Sequence, residues 1–211
     1  VSTTKVWTSN EPSFTVPGAI EPSGATTELN VYNTNGVLSG FLTKNGQSML
    51  RISGEAYGVI DVQPFKDDTT TLNNWSRQGF GISCTFKSDR HPFSNRTVFF
   101  IGDYNTDEQF SEGIKIGLED ITWSYTDGNI KETMSCKIQQ DIINTVDFIV
   151  NKNPGKMVVA IFINGILSTA REIKNDFTWR TSSKIYLGCD ISNAGQIQNF
   201  ADVNFYDIKL F

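Results

Sequence analysis

The 211-residue sequence is short of basic clusters, cysteine, histidine and long apolar runs, and each shortage removes a class of protein. Lys and Arg total 18 against 23 Asp and Glu, a net charge of −5, with no basic stripe of the kind that holds nucleic-acid phosphates. No apolar run approaches the ~20 residues that cross a bilayer as a helix, so membrane insertion is not expected. No charged, apolar and cleavage-site succession opens the chain, so no secretory leader is expected. The three cysteines, Cys84, Cys136 and Cys189, are too few and too widely spaced for a disulfide framework. They read as free thiols serving as small apolar side chains, a usage that fits assembly in a reducing cytosol. His91, the single histidine, lies beside Pro92 in a loop-like stretch, which leaves His/Cys metal centres and Ser-His-Asp catalysis without support. Phosphate-cradling glycine loops are also absent.

What the chain has in plenty is Ser, Thr, Asn, Gly and fifteen Phe residues, with charged residues at only 19%. That mixture suits many short strands joined by polar turns and disfavours helical bundles. The period-two pattern is explicit. Phe80, Ile82, Cys84 and Phe86 share one face, as do Ile114, Ile116 and Leu118, then Ile121, Trp123 and Tyr125, then Met134, Cys136 and Ile138. Val98 to Ile101 is continuously apolar and predicts a strand buried on both faces. Met157 to Ile163 runs into Asn164-Gly165, a strong hairpin signal. Val203 and Phe205 have the opposite parity to Ile208 and Leu210, which predicts a bulge near Tyr206-Asp207. Gln139 to Thr145 is the one stretch that reads as a helical turn. Residues 1–28, rich in Ser, Thr, Pro and Glu, read as an extended N-terminal arm or linker, and residues 29–211 as one domain. A dozen strands at regular spacing predict an all-β, two-sheet antiparallel sandwich or jelly roll.

Five segments give this expectation a family. Gly79–Lys87 (GFGISCTFK), Thr97–Asp103 (TVFFIGD), Gly113–Leu118 (GIKIGL), Val158–Gly165 (VVAIFING) and Phe200–Phe211 resemble, in order, strands of concanavalin A-like and laminin G-like domains. The resemblance spans about residues 45–211 and implies the concanavalin A-like sandwich. The texture at 54–56, 63–65 and 176–181 is similar to such modules on bacteriophage tail, fibre or head-decoration proteins. It implies a non-catalytic, virion-associated recognition domain, or otherwise an extracellular one, whose partner is a host-surface glycan or another virion protein. Two alternatives stand beside it: a purely structural decoration protein without sugar binding, and a bacterial carbohydrate-binding module detached from an enzyme. A homo-oligomer is compatible with all three.

Hydrolases of this fold carry carboxylates on one strand at spacings that put them on one face. Glu119-Asp120, Asp107-Glu108 and the other acidic pairs do not fit, so catalysis is not expected. Sugar binding would need aromatic platforms with polar neighbours. Trp75 in a polar loop, Tyr104 with Asn105, and Trp123 with Tyr125 and Asp127 are the candidates, although inner-face packing is the plainer reading of Trp123 and Tyr125. Asp103, Asn105 and Asp107 alternate as calcium ligands would, though such a turn also caps its own backbone without metal.

Overall fold

β-Branched and aromatic residues in period-two runs bury most surface as extended strands that place alternate side chains on one face. The computed structural model describes residues 2–8, 28–33, 40–44, 47–61, 79–127, 130–153, 156–173 and 184–210, and every regular element among them is a strand. In chain order they are β1 (Ser2–Thr8), β2 (Glu28–Asn33), β3 (Gly40–Lys44), β4 (Gln47–Ile52), β5 (Tyr57–Asp61), β6 (Gly79–Ser88), β7 (Thr97–Tyr104), β8 (Phe110–Gly117) and β9 (Asp120–Asp127). They continue with β10 (Ile130–Lys137), β11 (Ile143–Asn153), β12 (Lys156–Ile163), β13 (Ile166–Ile173), β14 (Lys184–Leu187), β15 (Asp190–Ile191), β16 (Ile197–Gln198) and β17 (Val203–Leu210).

One sheet runs β1-β2-β5-β14-β7-β8-β9-β10 and the other β13-β12-β11-β6-β17-β4-β3, while β15 and β16 form a separate ribbon. The pairings are antiparallel. The protein is therefore the two-sheet antiparallel sandwich that the alternation predicts. Its main core lies between the sheets, with Ile60, Phe99, Ile114, Ile121 and Trp123 from the first facing Ile82, Phe86, Phe148, Val159 and Phe205 from the second. Each such side chain, fully buried, contributes about 1.5–3 kcal/mol.

Local expectations resolve individually. The β17 register shifts between Phe205 and Asp207, so Tyr206 is the extra residue that brings both Phe205 and Ile208 into the core. Asn164 (φ 53°) and Gly165 (φ 78°) both take positive φ, closing the β12–β13 hairpin with the twist its strands require. Gln139 to Thr145 is no helix. Residues 139–142 turn, with Asp141 at φ 63°, and β11 begins at Ile143. Within the stretch read as an N-terminal arm, Ser2–Thr8 is built into the first sheet as an edge strand against β2, while residues 9–27 lie outside the described part.

Val98 to Ile101 is buried throughout, as the continuous run predicts. A second layer explains this burial. Residues 188–200, including β15 and β16, cover the outer face of the first sheet, and Phe100 packs there with Val59, Tyr186 and Cys189. Its ring stacks on Tyr104 at 5.6 Å and meets Phe110 at 5.9 Å. On another side, Arg171 of β13 bonds Glu132 (3.0 Å) and the Thr133 carbonyl (3.0 Å) of β10, tying the two sheet edges together. An edge carbonyl occupied in this way is lost to strand addition.

Candidate functional site

Antiparallel strands deliver their loops to two ends, and one end carries a concave surface formed by described residues. There lie residues 89–96 between β6 and β7, 118–119 between β8 and β9, 138–142 between β10 and β11, and the Asn164-Gly165 turn. Asp141 N donates to Ser88 O (3.0 Å) and Ile138 N to Glu119 O (3.0 Å). His91 N donates to Gln140 Oε1 (2.8 Å), whose Nε2 donates to Glu119 Oε1 (2.8 Å). Between these loops opens a groove of about 750 Å³ lined by Arg90, His91, Glu119, Lys137, Gln139 and Gln140, among others. Its size is that of a small-ligand site.

The groove's chemistry is polar and net cationic. The side chains of Arg90 and Lys137 have no ion-pair or hydrogen-bond partner among the described residues. Arg96 is a fixed strut behind it, donating through Nη1 to Phe200 O (2.6 Å) with Nη2 3.4 Å from His91 Nε2. The His91 Nδ1 atom accepts from Phe93 N (3.2 Å), and its ring lies 5.5 Å from that of Phe93. His91 is thereby oriented as part of the wall. Glu119 is the one carboxylate lining the groove, so the paired carboxylates of glycoside hydrolysis are missing from it.

A second polar cluster lies under residues 188–200. Asp190, fully buried, accepts at Oδ2 from Thr97 Oγ1 (2.6 Å), Tyr104 Oη (2.8 Å) and Lys115 Nζ (2.9 Å), while Asn199 Nδ2 lies 3.0 Å from both of its oxygens. Lys115 Nζ also donates to Tyr104 Oη (2.8 Å) and sits over its ring. Burial, the Asp190 charge and the hydrogen bond to Asp190 push the Tyr104 hydroxyl far above the phenol range, so it stays a donor. The cluster is closed on itself. It clamps the covering segment to β7 and β8, because a buried carboxylate needs its charge and lone pairs matched.

The sequence candidates separate accordingly. Trp75 lies outside the described residues. Trp123 and Tyr125 do not form a platform: both are buried between the sheets, their rings stacked at 6.5 Å, because β9 turns that parity toward the core. Asp127 ends β9 opposite Ile130. Tyr104 serves the Asp190 clamp. Asn105 Oδ1 accepts from Asp107 N (3.0 Å) and Gln109 N (2.9 Å), so it caps its own hairpin. Asp103, Asn105 and Asp107 are the calcium candidates of the sequence. The middle ligand is spent on backbone, and the described residues contain no group of three or more His, Cys, Asp or Glu arranged to hold a metal. Desolvation by burial raises the Asp103 carboxyl above its ordinary range. All three cysteines are free thiols; Cys84 and Cys189 are buried and Cys136 half-buried. Burial pushes each thiol up, away from thiolate reactivity. Sequence reading missed Lys115, Asp190 and Asn199, and all the groove residues except His91, which it placed in a loop without a role. The groove residues come from three separate loops, and Lys115 alternates with Ile114 and Ile116 as any solvent-facing residue would.

No protein-family model and no curated protein matches the sequence. Solved structures do. The chain is similar to the binding domain of botulinum neurotoxin DC in complex with rat synaptotagmin II, with TM-score 0.57 and 15% identity over 90% of this chain and 44% of that one. It is similar to a structure of botulinum neurotoxin type C, whose cell entry is dependent upon interaction with two ganglioside molecules, with TM-score 0.58 and 14% identity over 91% of this chain and 44% of that one. A third is the binding domain of botulinum neurotoxin DC in complex with SialylT, at TM-score 0.55 and 15% identity over 90% of this chain and 44% of that one. The chain thus spans less than half the length of the chains it matches, and at these identities the likeness is one of fold.

Proposed function

We propose that this protein is a non-catalytic recognition domain that binds an acidic carbohydrate in the groove between residues 89–96, 118–119 and 138–142. The observation that carries the reading is the pairing of two cations whose side chains have no partner among the described residues, Arg90 and Lys137, with the amides of Gln139 and Gln140 in a groove lined by a single carboxylate. Amides orient sugar hydroxyls, and the cations match a sialic or uronic carboxylate. The exposed Phe93 ring at the rim supplies an apolar face for a sugar ring to stack on. The structural neighbours include domains named for binding, one dependent on gangliosides and one in complex with SialylT, which supports a glycan as the ligand class.

The test is a glycan array with acidic and neutral sugars, followed by titration of the best ligand. Arg90→Ala with Lys137→Ala should weaken binding by at least about tenfold, since hydrogen bonds to charged groups carry about 1.5–3 kcal/mol each. Trp123→Phe should leave affinity per folded molecule unchanged. Equal binding by the double variant would remove the groove from the reading, and loss of binding in a folded Trp123→Phe protein would restore the platform.

The finer setting we propose is a virion, on the sequence texture at 54–56, 63–65 and 176–181. Neighbouring capsid and tail genes would support it; an adjoining glycan-hydrolase domain would favour a module from a bacterial enzyme instead.

A further inference from the structure

Among the described residues, exposed large apolar side chains are unevenly placed. The five exposed ones among the described residues are Phe93 (64% exposed), Ile142 (42%), Ile143 (51%), Ile166 (73%) and Leu167 (53%). All five lie at the end that carries the groove: Phe93 on residues 89–96, Ile142 and Ile143 at the start of β11, and Ile166 and Leu167 just past the Asn164-Gly165 turn. Hydrogen bonds between Asn164 and Thr145, 2.8 Å in each direction, hold the second turn against the first.

The isoleucine turns are also pre-satisfied. Buried Asn144 donates through Nδ2 to the carbonyls of Gln139 (2.9 Å) and Ile142 (3.2 Å), and Asp141 N is bonded to Ser88 O. The Asn164 backbone and side chain are both engaged with Thr145. A turn whose backbone groups already have partners can leave water without orphaning them, whereas most surface turns cannot. Two acidic charges at this end are neutralised locally, Asp89 by Arg51 (2.7 Å) and Asp141 by Lys87 (3.1 Å), and Glu119, held by Gln140 (2.8 Å), is left as one carboxylate against two side chains, Arg90 and Lys137, that have no partner among the described residues.

We infer that this end docks on an anionic lipid surface, the aliphatic turns entering the headgroup boundary and Arg90 and Lys137 meeting lipid phosphates and carboxylates. Separate aliphatic tips flanked by uncompensated cations match that interface. The docking is peripheral; no helix among the described residues is long and apolar enough to cross a membrane. It needs no sugar, though it draws on Arg90 and Lys137, the same two cations that the groove would offer an acidic sugar.

The experiment is co-sedimentation of the full chain with phosphatidylcholine vesicles, with and without phosphatidylserine, none carrying glycan. The protein should pellet with the phosphatidylserine vesicles, and Ile142→Asp with Ile166→Asp should weaken this by more than about tenfold. Arg90→Gln with Lys137→Gln should remove the dependence on phosphatidylserine. Ile142→Ser with Ile166→Ser acts in the same direction without adding charge, and circular dichroism verifies that each variant is folded. No pelleting by the unmodified protein, or pelleting indifferent to both isoleucine pairs, overturns the inference. So does sedimentation velocity that shows a dimer broken by Ile166→Asp, because the patch would then be covered by a second copy. Sugar-free vesicles keep this result separable from the glycan array.

Discussion

At the residue scale, Asp190 carries the largest electrostatic obligation in the described structure. It is a fully buried carboxylate held by a lysine, two hydroxyls and an amide, and the residues that satisfy it also fasten the covering segment to the first sheet. Asp190→Ala would strand Lys115 against a polar cavity and should cost at least about 3 kcal/mol in urea unfolding. It should also speed proteolysis between Asn193 and Gly195. Lys115→Met should cost a comparable amount, because it leaves the fully buried Asp190 charge with neutral donors alone. Equal stability in Asp190→Ala would show that the clamp is incidental to the fold.

At the element scale, the β7–β8 hairpin depends on two glycines that face each other. Gly102 and Gly113 are register partners, Gly113 takes φ 116°, and a Cβ there would collide with the backbone of Ile101 and Gly102. An alanine must therefore adopt a conformation L side chains avoid and push apart the pair that positions Tyr104 and Lys115. Gly113→Ala should lose more than about 2 kcal/mol, read by thermal denaturation. Gly165→Ala offers the contrast. That site also has positive φ (78°) but open space around it, so only the backbone strain remains and the loss should be smaller.

At the scale of the whole molecule, one continuous core joins the two sheets, and the Arg171 tie closes one pair of edges. Nothing among the described contacts divides the sandwich into halves. Heating should therefore give one transition, with coincident midpoints by tryptophan fluorescence and far-ultraviolet circular dichroism. Two resolved midpoints would show that a sheet or the covering segment unfolds separately. The same architecture explains why the groove lies among loops at an end of the sandwich. Strands are spent on the core, so adaptable chemistry is left to the loops they deliver.

Most strands of the core and their inward faces, the doubly buried run at Val98, the bulge at Tyr206 and the Asn164-Gly165 hairpin were legible in the sequence, whereas β1, the start of β11 and the β15–β16 ribbon were not. Each legible feature follows from local rules: side chains alternate every two residues, parity changes require an extra residue, and positive φ favours Asn and Gly. Which polar residues work together was not legible. Trp123 and Tyr125 look alike as platform or core until the sheet's facing is known, and the structure turned them inward. Arg90, Glu119, Lys137 and Gln140 meet only because three connections reach the same end of the sandwich. Asp190 finds Lys115 only because residues 188–200 fold back over the sheet. Pattern along a chain reports the backbone's local choices, whereas a site is made by long-range pairing, and only the tertiary structure decides that.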